Sequence, residues 1–257
     1  MLNFTRLSIA FICLLGACLA AVGYFGFPFY GLIILVLAYL LFLSYGCYYI
    51  GSDFFVHVIC RIKTPNKIIA LTFDDGPDPA NTPFILEILK ENNVEAAFFC
   101  IGAHIDENPG LLHRVFDAGH LIGNHTYSHH TWFDLFPAKK MLDDIKRMDQ
   151  STARAVDKKP KLFRPPYGVT NPAISRAIVN GNYTPVGWSV RSYDTVIKDE
   201  RRLLARVTSR LKPGAIFLFH DRCPATVAIL PEFISYVKSK GFEIIRLDKM
   251  LNLQPYA

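Results

Sequence analysis

The chain has 257 residues, 51% of them hydrophobic, and a formal charge of +6. That basic excess is mild and scattered, and its densest run, Lys158-Lys159-Pro160-Lys161, reads as a solvated loop; the basic stripe with interleaved aromatics of a nucleic-acid binder is lacking. The cysteines at 13, 18, 47, 60, 100 and 223 form no CxxC pair, so they suggest structural thiols, not a cysteine zinc site or a disulfide framework.

From Leu7 to Ser52 there is no Asp, Glu, Lys or Arg. Within this stretch Leu7–Phe25 and Tyr30–Ile50 each reach the roughly 20 apolar residues that cross a bilayer. Gly26-Phe27-Pro28 breaks the run, which predicts a transmembrane helical hairpin with membrane lipid as its partner. Two rival readings exist. Arg6 with Leu7–Ala17 resembles a signal peptide, and Leu14-Leu15-Gly16-Ala17-Cys18 resembles a lipoprotein cleavage box; the apolar sequence beyond Cys18 argues against both. Arg6 before the first helix and Arg61, Lys63 and Lys67 after the second favour cytoplasmic ends, whereas a single span would reverse the orientation. Residues 1–66 are therefore expected to be anchor and juxtamembrane linker. Residues 67–257 have the mixed texture of a soluble domain large enough to bury its own core.

In that domain apolar runs alternate with amphipathic segments. Strands are expected at Ile68–Phe73, Glu95–Cys100, Leu121–Asn124, Leu162–Arg164, Thr184–Ser189, Ala215–His220 and Phe242–Ile245. Helices are expected at Pro83–Asn92, Asn108–Ala118, Pro137–Val156, Pro172–Asn180, Glu200–Leu211 and Ala225–Lys240. Such alternation predicts parallel strands covered by helices, as a barrel or a doubly wound sheet. The notable polar residues follow strand ends, where a βα barrel builds its active site.

Four strings carry chemistry. Thr72-Phe73-Asp74-Asp75-Gly76-Pro77 sets two carboxylates side by side, which a cation would have to compensate if both were buried; alone it could be an acidic turn. His125-Thr126-Tyr127-Ser128-His129 offers histidines at i and i+4, expected to share one face of a helical turn. With one aspartate they would make a two-histidine, one-carboxylate metal set. Arg164-Pro165-Pro166-Tyr167-Gly168 is a rigid loop presenting Arg164 and the amide of Tyr167. Phe217-Leu218-Phe219-His220-Asp221 brings a histidine out of a buried strand.

In this order, the four strings resemble the NodB-homology polysaccharide deacetylases, carbohydrate esterase family 4, from Lys67 to about Leu251. The resemblance implies a distorted (β/α) barrel, usually of seven strands, one divalent metal, commonly Zn2+, and hydrolysis of an N-acetyl group on a sugar. It implies that Asp75, His125 and His129 hold the metal and that Asp74, oriented by Arg164, is the base that deprotonates the attacking water. His220 would protonate the leaving amine, the Tyr167 N–H would face the oxyanion, and Trp188, Leu218, Pro165 and Pro166 would line the substrate pocket.

The chain departs from the family in one place. Where the family often carries the aspartate that partners the catalytic histidine, Trp188-Ser189-Val190-Arg191-Ser192-Tyr193-Asp194 has Arg191, a cation that would lower the histidine's pKa. Asp194 is expected to offset it by pairing with Arg191. The expected activity is deacetylation of peptidoglycan or another envelope glycan, on an integral membrane protein of the bacterial inner membrane. Alternatives are deacetylation or deformylation of a lipid-linked sugar, and a catalytically inactive glycan-binding domain.

Overall fold

The computed structural model describes residues 3–257, so the first two positions of the expected anchor lie outside the described residues. Helices α1 (Phe4–Phe25) and α2 (Tyr30–Tyr48) form the hairpin. The Asn3 side chain caps the first by accepting from the Arg6 amide at 3.0 Å, and Gly26 closes it in the left-handed conformation at φ 65°. The Phe11 and Tyr39 rings stack at 4.1 Å between the two helices. The two helices have mean hydropathies of 2.2 and 2.1, and α1 buries none of its side chains. Both helices are long and apolar enough to cross a membrane.

The juxtamembrane segment packs against the domain. Gly46 sits against the Phe54 ring with no room for a Cβ, and Ile50, Phe54 and Val58 are buried. Thr170 holds the end of α2, donating its amide to the Cys47 carbonyl and its hydroxyl to the Gly46 carbonyl, both at 3.0 Å. Farther on, Ile59 bridges to Val186 and Arg61 to Ala215.

The rest is a parallel sheet wrapped by helices. In chain order it comprises β1 (Ile68–Asp74), α3 (Thr82–Glu91), β2 (Ala97–Cys100), α4 (Gly102–Glu107), α5 (Pro109–Asp117), β3 (Leu121–Asn124) and α6 (Ala138–Val156). Then follow β4 (Leu162–Phe163), α7 (Pro172–Gly181), β5 (Thr184–Pro185), β6 (Val190–Arg191), α8 (Glu200–Thr208), β7 (Ala215–His220), α9 (Pro224–Ser239), β8 (Glu243–Ile244) and α10 (Leu247–Leu251). Strand order is β5-β4-β3-β2-β1-β7-β6, with β8 beside the start of β1 and every pairing parallel. Among the described residues β5 and β6 do not pair, which leaves the barrel open at a seam. The Ile59 and Arg61 bridges lie along it.

Parallel strands covered on both faces read as continuous apolar runs, and β1 and β7 are buried almost throughout. One face packs Phe73 on Phe98 at 5.0 Å and on Phe219 at 6.0 Å beneath α9; the other, with Ala70, Phe99 and Ile216, fills the barrel. The expected strand Thr184–Ser189 ends early because the carbonyls of Val186 and Gly187 turn to the Arg164 side chain. The unexpected α4 and α10 have six and five residues, too few for a periodic pattern. Substituting Phe98→Ala removes the ring stacked on Phe73 and should lower stability by about 3–5 kcal/mol in denaturant titrations of the detergent-solubilised chain.

Candidate active site

Strand register assembles the site. Asp74 ends β1 opposite His220 at the end of β7, while Asn124 at the end of β3 is opposite Phe163 of β4, one residue before Arg164. Asp74, Asp75, His125, His129 and His220 thereby reach one cavity of about 220 Å³, with Trp188, Leu218 and Pro165 in its wall. Pro166 departs from expectation: it is buried beneath the loop and does not line the cavity.

Arg164 is fully buried and organises the floor. Its Nη1 donates to Asp74 Oδ1 at 2.6 Å and to Thr72 Oγ1 at 2.8 Å, its Nε to the Val186 carbonyl at 3.1 Å, and its Nη2 to the Gly187 carbonyl at 2.8 Å. The guanidinium lies 4.0 Å above the Phe99 ring. Its charge opposes the desolvation of Asp74, yet burial prevails and lifts that carboxyl to about 6.

The two histidines do not share a helical turn. Residues 125–129 form an irregular loop, with Thr126 and His129 at φ 68° and 41°. Asp144 Oδ2 accepts from the amides of Tyr127 and Ser128, and Asn124 Oδ1 from that of Thr126, so side chains take over the backbone donors a helix would have satisfied. The loop still aims both rings at one point: His125 Nε2 and His129 Nε2 each lie 3.6 Å from Asp75 Oδ1.

The donor set fits a metal ion. The three ligand atoms lie within 4.8 Å of one another, and atoms held about 2.1 Å from a tetrahedral ion are roughly 3.4 Å apart. His125 donates Nδ1–H to the Arg164 carbonyl at 2.8 Å, which leaves the Nε2 lone pair facing the cluster. Burial lowers both histidines to about 4, and the neighbouring histidines and Arg222 outweigh burial to hold Asp75 below its usual range. Near neutral pH all three groups are therefore in the deprotonated form that binds metal. Arg222 Nε also reaches Asp75 Oδ2 at 2.9 Å. The sequence reading missed this contact, although Arg222 directly follows the His220-Asp221 pair.

Asp194 corrects the expectation for the other half of the site. It does not pair with Arg191. Its Oδ1 takes the His220 Nδ1 hydrogen bond at 2.7 Å, while its Oδ2 accepts from the His220 amide at 2.7 Å and the Thr226 hydroxyl at 2.6 Å. A turn at Tyr193, φ 63°, folds Asp194 back into the place a sequence register assigned to Arg191. Arg191 lies instead in the cavity wall, 5.7 Å from the Trp188 ring and 5.2 Å from that of Tyr193. Burial favours neutral His220, but the bond and charge of Asp194, with the charges of Asp74 and Asp75, outweigh it and raise the pKa. Tyr167, at φ 60°, sets its ring edge-on to His129 at 4.9 Å and lines the cavity.

The sign of the Asp194 effect is testable. A raised His220 pKa adds stability below the histidine's ordinary value, and this is lost as pH rises through the raised value. Replacing Asp194→Asn should lower the imidazole titration midpoint in NMR and remove that acid-side contribution.

The Polysaccharide deacetylase family matches residues 61–186. The chain is 34% identical over 200 residues to a peptidoglycan-N-acetylglucosamine deacetylase of Bacillus cereus, covering 76% of this chain and 93% of that protein. It is 33% identical over 206 residues to the peptidoglycan-N-acetylglucosamine deacetylase PgdA of Listeria monocytogenes, covering 79% of this chain but only 42% of that protein. The crystal structure of the Bc1960 peptidoglycan N-acetylglucosamine deacetylase superposes with a TM-score of 0.73 and 30% identity, over 78% of this chain and 95% of that one.

Proposed function

This chain belongs to the polysaccharide deacetylase family, and we propose that it is a divalent-metal-dependent hydrolase that removes N-acetyl groups from amino sugars of an envelope glycan. The convergence of Asp74, Asp75, His125, His129 and His220 on one cavity, braced by Arg164, carries this reading. Asp75, His125 and His129 would hold the ion, Zn2+ on the chemistry of two imidazoles and a carboxylate. The ion would supply a Lewis acid that makes water acidic and polarises the acyl carbonyl.

The protein's own groups do the rest. Arg164 occupies Asp74 Oδ1, and Asp74 Oδ2 lies 3.8 Å from His125 Nε2, on the side of the ligand cluster. With its pKa near 6, Asp74 is ionised at neutral pH yet basic enough to take a proton from the attacking water. The water oxygen bonds to the acyl carbon, and the Tyr167 N–H receives the oxyanion. As the carbon–nitrogen bond breaks, His220 gives its proton to the amine, leaving acetate and the free amino sugar. The bond and charge of Asp194 raise its pKa, the direction that favours a proton donor. Trp188 and Leu218 close around the acyl methyl. That Asp74 and His220, the proposed base and acid, both face the cavity supports an active enzyme over an inactive glycan-binding domain.

A lipid-linked amino sugar is the second reading, favoured by the end of α2 packing on Thr170, two residues beyond the Arg164–Gly168 loop. In both readings the hairpin integrates the chain into the inner membrane; its flanking charges favour a cytoplasmic catalytic domain, which suits the lipid-linked sugar, whereas an envelope glycan requires the domain outside. A phosphatase fused after Ala257 should be inactive and a fluorescent protein bright; the reverse pattern would put the domain outside.

The chemistry is tested by incubating the purified chain with N-acetylated peptidoglycan fragments and with lipid-linked amino sugars, measuring acetate and formate separately. Asp74→Asn should keep its metal and lose about 100-fold or more in kcat. His125→Ala should lose both metal and turnover, and full metal occupancy in that variant by elemental analysis would sink the ligand assignment.

A further inference from the structure

A second cavity of about 540 Å³ runs from the end of α2 to the candidate active site. Tyr48, Tyr49 and Ile50 form its membrane end, and Tyr167, Trp188 and Arg191 line both this groove and the catalytic cavity. Three arginines, Arg61, Arg191 and Arg206, line it, and no Asp or Glu does. Arg206 spends Nε and Nη2 on the Arg191 carbonyl and stacks 4.3 Å above the Tyr193 ring. Arg191 Nε is buried without a hydrogen-bond partner among the described residues. An unmet donor of that kind is costly unless a ligand supplies an acceptor.

This lining selects a ligand class. The hydroxyls of a neutral glycan both donate and accept and are met fully only where carboxylate or carbonyl acceptors stand among the donors, whereas guanidinium groups only donate. Arginines without carboxylates match an anion that only accepts, and the planar fork suits phosphate oxygens. The position of the groove selects the source. If α2 spans the membrane, the exposed Tyr48 and Tyr49 lie at headgroup level, where tyrosine rings concentrate. Thr170 and buried Ile50 hold that helix end against the active-site loop, so the groove opens at the bilayer surface at a fixed distance from Asp74.

The geometry points to this groove as the seat for the phosphate or diphosphate of an acylated amino sugar carried on a membrane lipid, with the sugar reaching into the catalytic cavity. The inference rests on the deacetylase reading and narrows its substrate. Arg61 and Arg191 receive the phosphate oxygens, the aromatic rings flank the first sugar, and the acyl group meets Asp74 and His220.

The test uses the full chain in nanodiscs with three substrates bearing the same N-acetylglucosamine: a neutral oligosaccharide, the soluble sugar 1-phosphate, and a polyprenyl-diphosphate-linked sugar. The lipid-linked form should show the highest kcat/KM. Arg61→Gln, at an exposed side chain, should lower that value roughly ten-fold more than it lowers the value for the neutral oligosaccharide. Equal kcat/KM for neutral and phosphorylated sugars overturns the phosphate seat, and equal values for soluble and lipid-linked phosphates overturn delivery from the membrane. Binding of the polyprenyl-diphosphate sugar to Asp74→Asn needs no turnover and separates this inference from the deacetylase reading. Binding weakened by adding Arg61→Gln supports the seat even if no acetate is released, and binding unaffected by it counts against the seat.

Discussion

The Arg164–Asp74 pair is the interaction on which the rest of the site depends. A fully buried guanidinium is tolerable only when its nitrogens find partners, and four hydrogen bonds to a carboxylate, a hydroxyl and two carbonyls engage all three of them. Meeting them shapes the backbone. The Val186 and Gly187 carbonyls leave the strand pattern to reach the side chain, which ends β5 and opens the barrel seam. The Arg164 carbonyl, in turn, takes the Nδ1 proton of His125 and orients that ring. One residue thus braces the carboxylate on β1, a histidine beyond β3 and the loop carrying Trp188.

Around that brace, environment separates chemically similar groups. Asp74 is pushed up by burial despite the arginine, whereas its neighbour Asp75 is held down by histidines and Arg222. Burial drives His125 and His129 to the neutral form, while Asp194 raises the pKa of His220. Two carboxylates and three imidazoles in one small cavity thereby have pKa values shifted in different directions. Carboxylates and imidazoles with pKa values pushed apart in this way are how a site runs acid and base chemistry at one pH.

The hairpin is part of the same construction and no mere tether. Residues 46–62 insert Ile50, Phe54 and Val58 into the domain and bridge the seam through Ile59 and Arg61. A flexible linker would let the active site wander relative to α2; this packed segment fixes it there.

Much of this was legible in the sequence because it depends on local rules. Uncharged length marked the hairpin, continuous apolar runs marked β1 and β7, and the carboxylate, histidine and arginine strings together pointed to one metal-dependent hydrolytic site. What the sequence could not decide depends on through-space partners. The histidine loop is irregular because Asp144, fifteen residues beyond His129, claims its amides, and no periodicity reports such a bond. Asp194 finds His220 because a positive φ at Tyr193 reverses the chain, so counting positions from Trp188 chose the wrong residue. The linker packs because Thr170, more than a hundred residues later, meets the last carbonyls of α2. Residue types and spacing determined which chemistry this chain carries; only the tertiary fold decided which atoms face one another, because hydrogen bonds and burial act across space, not along the chain.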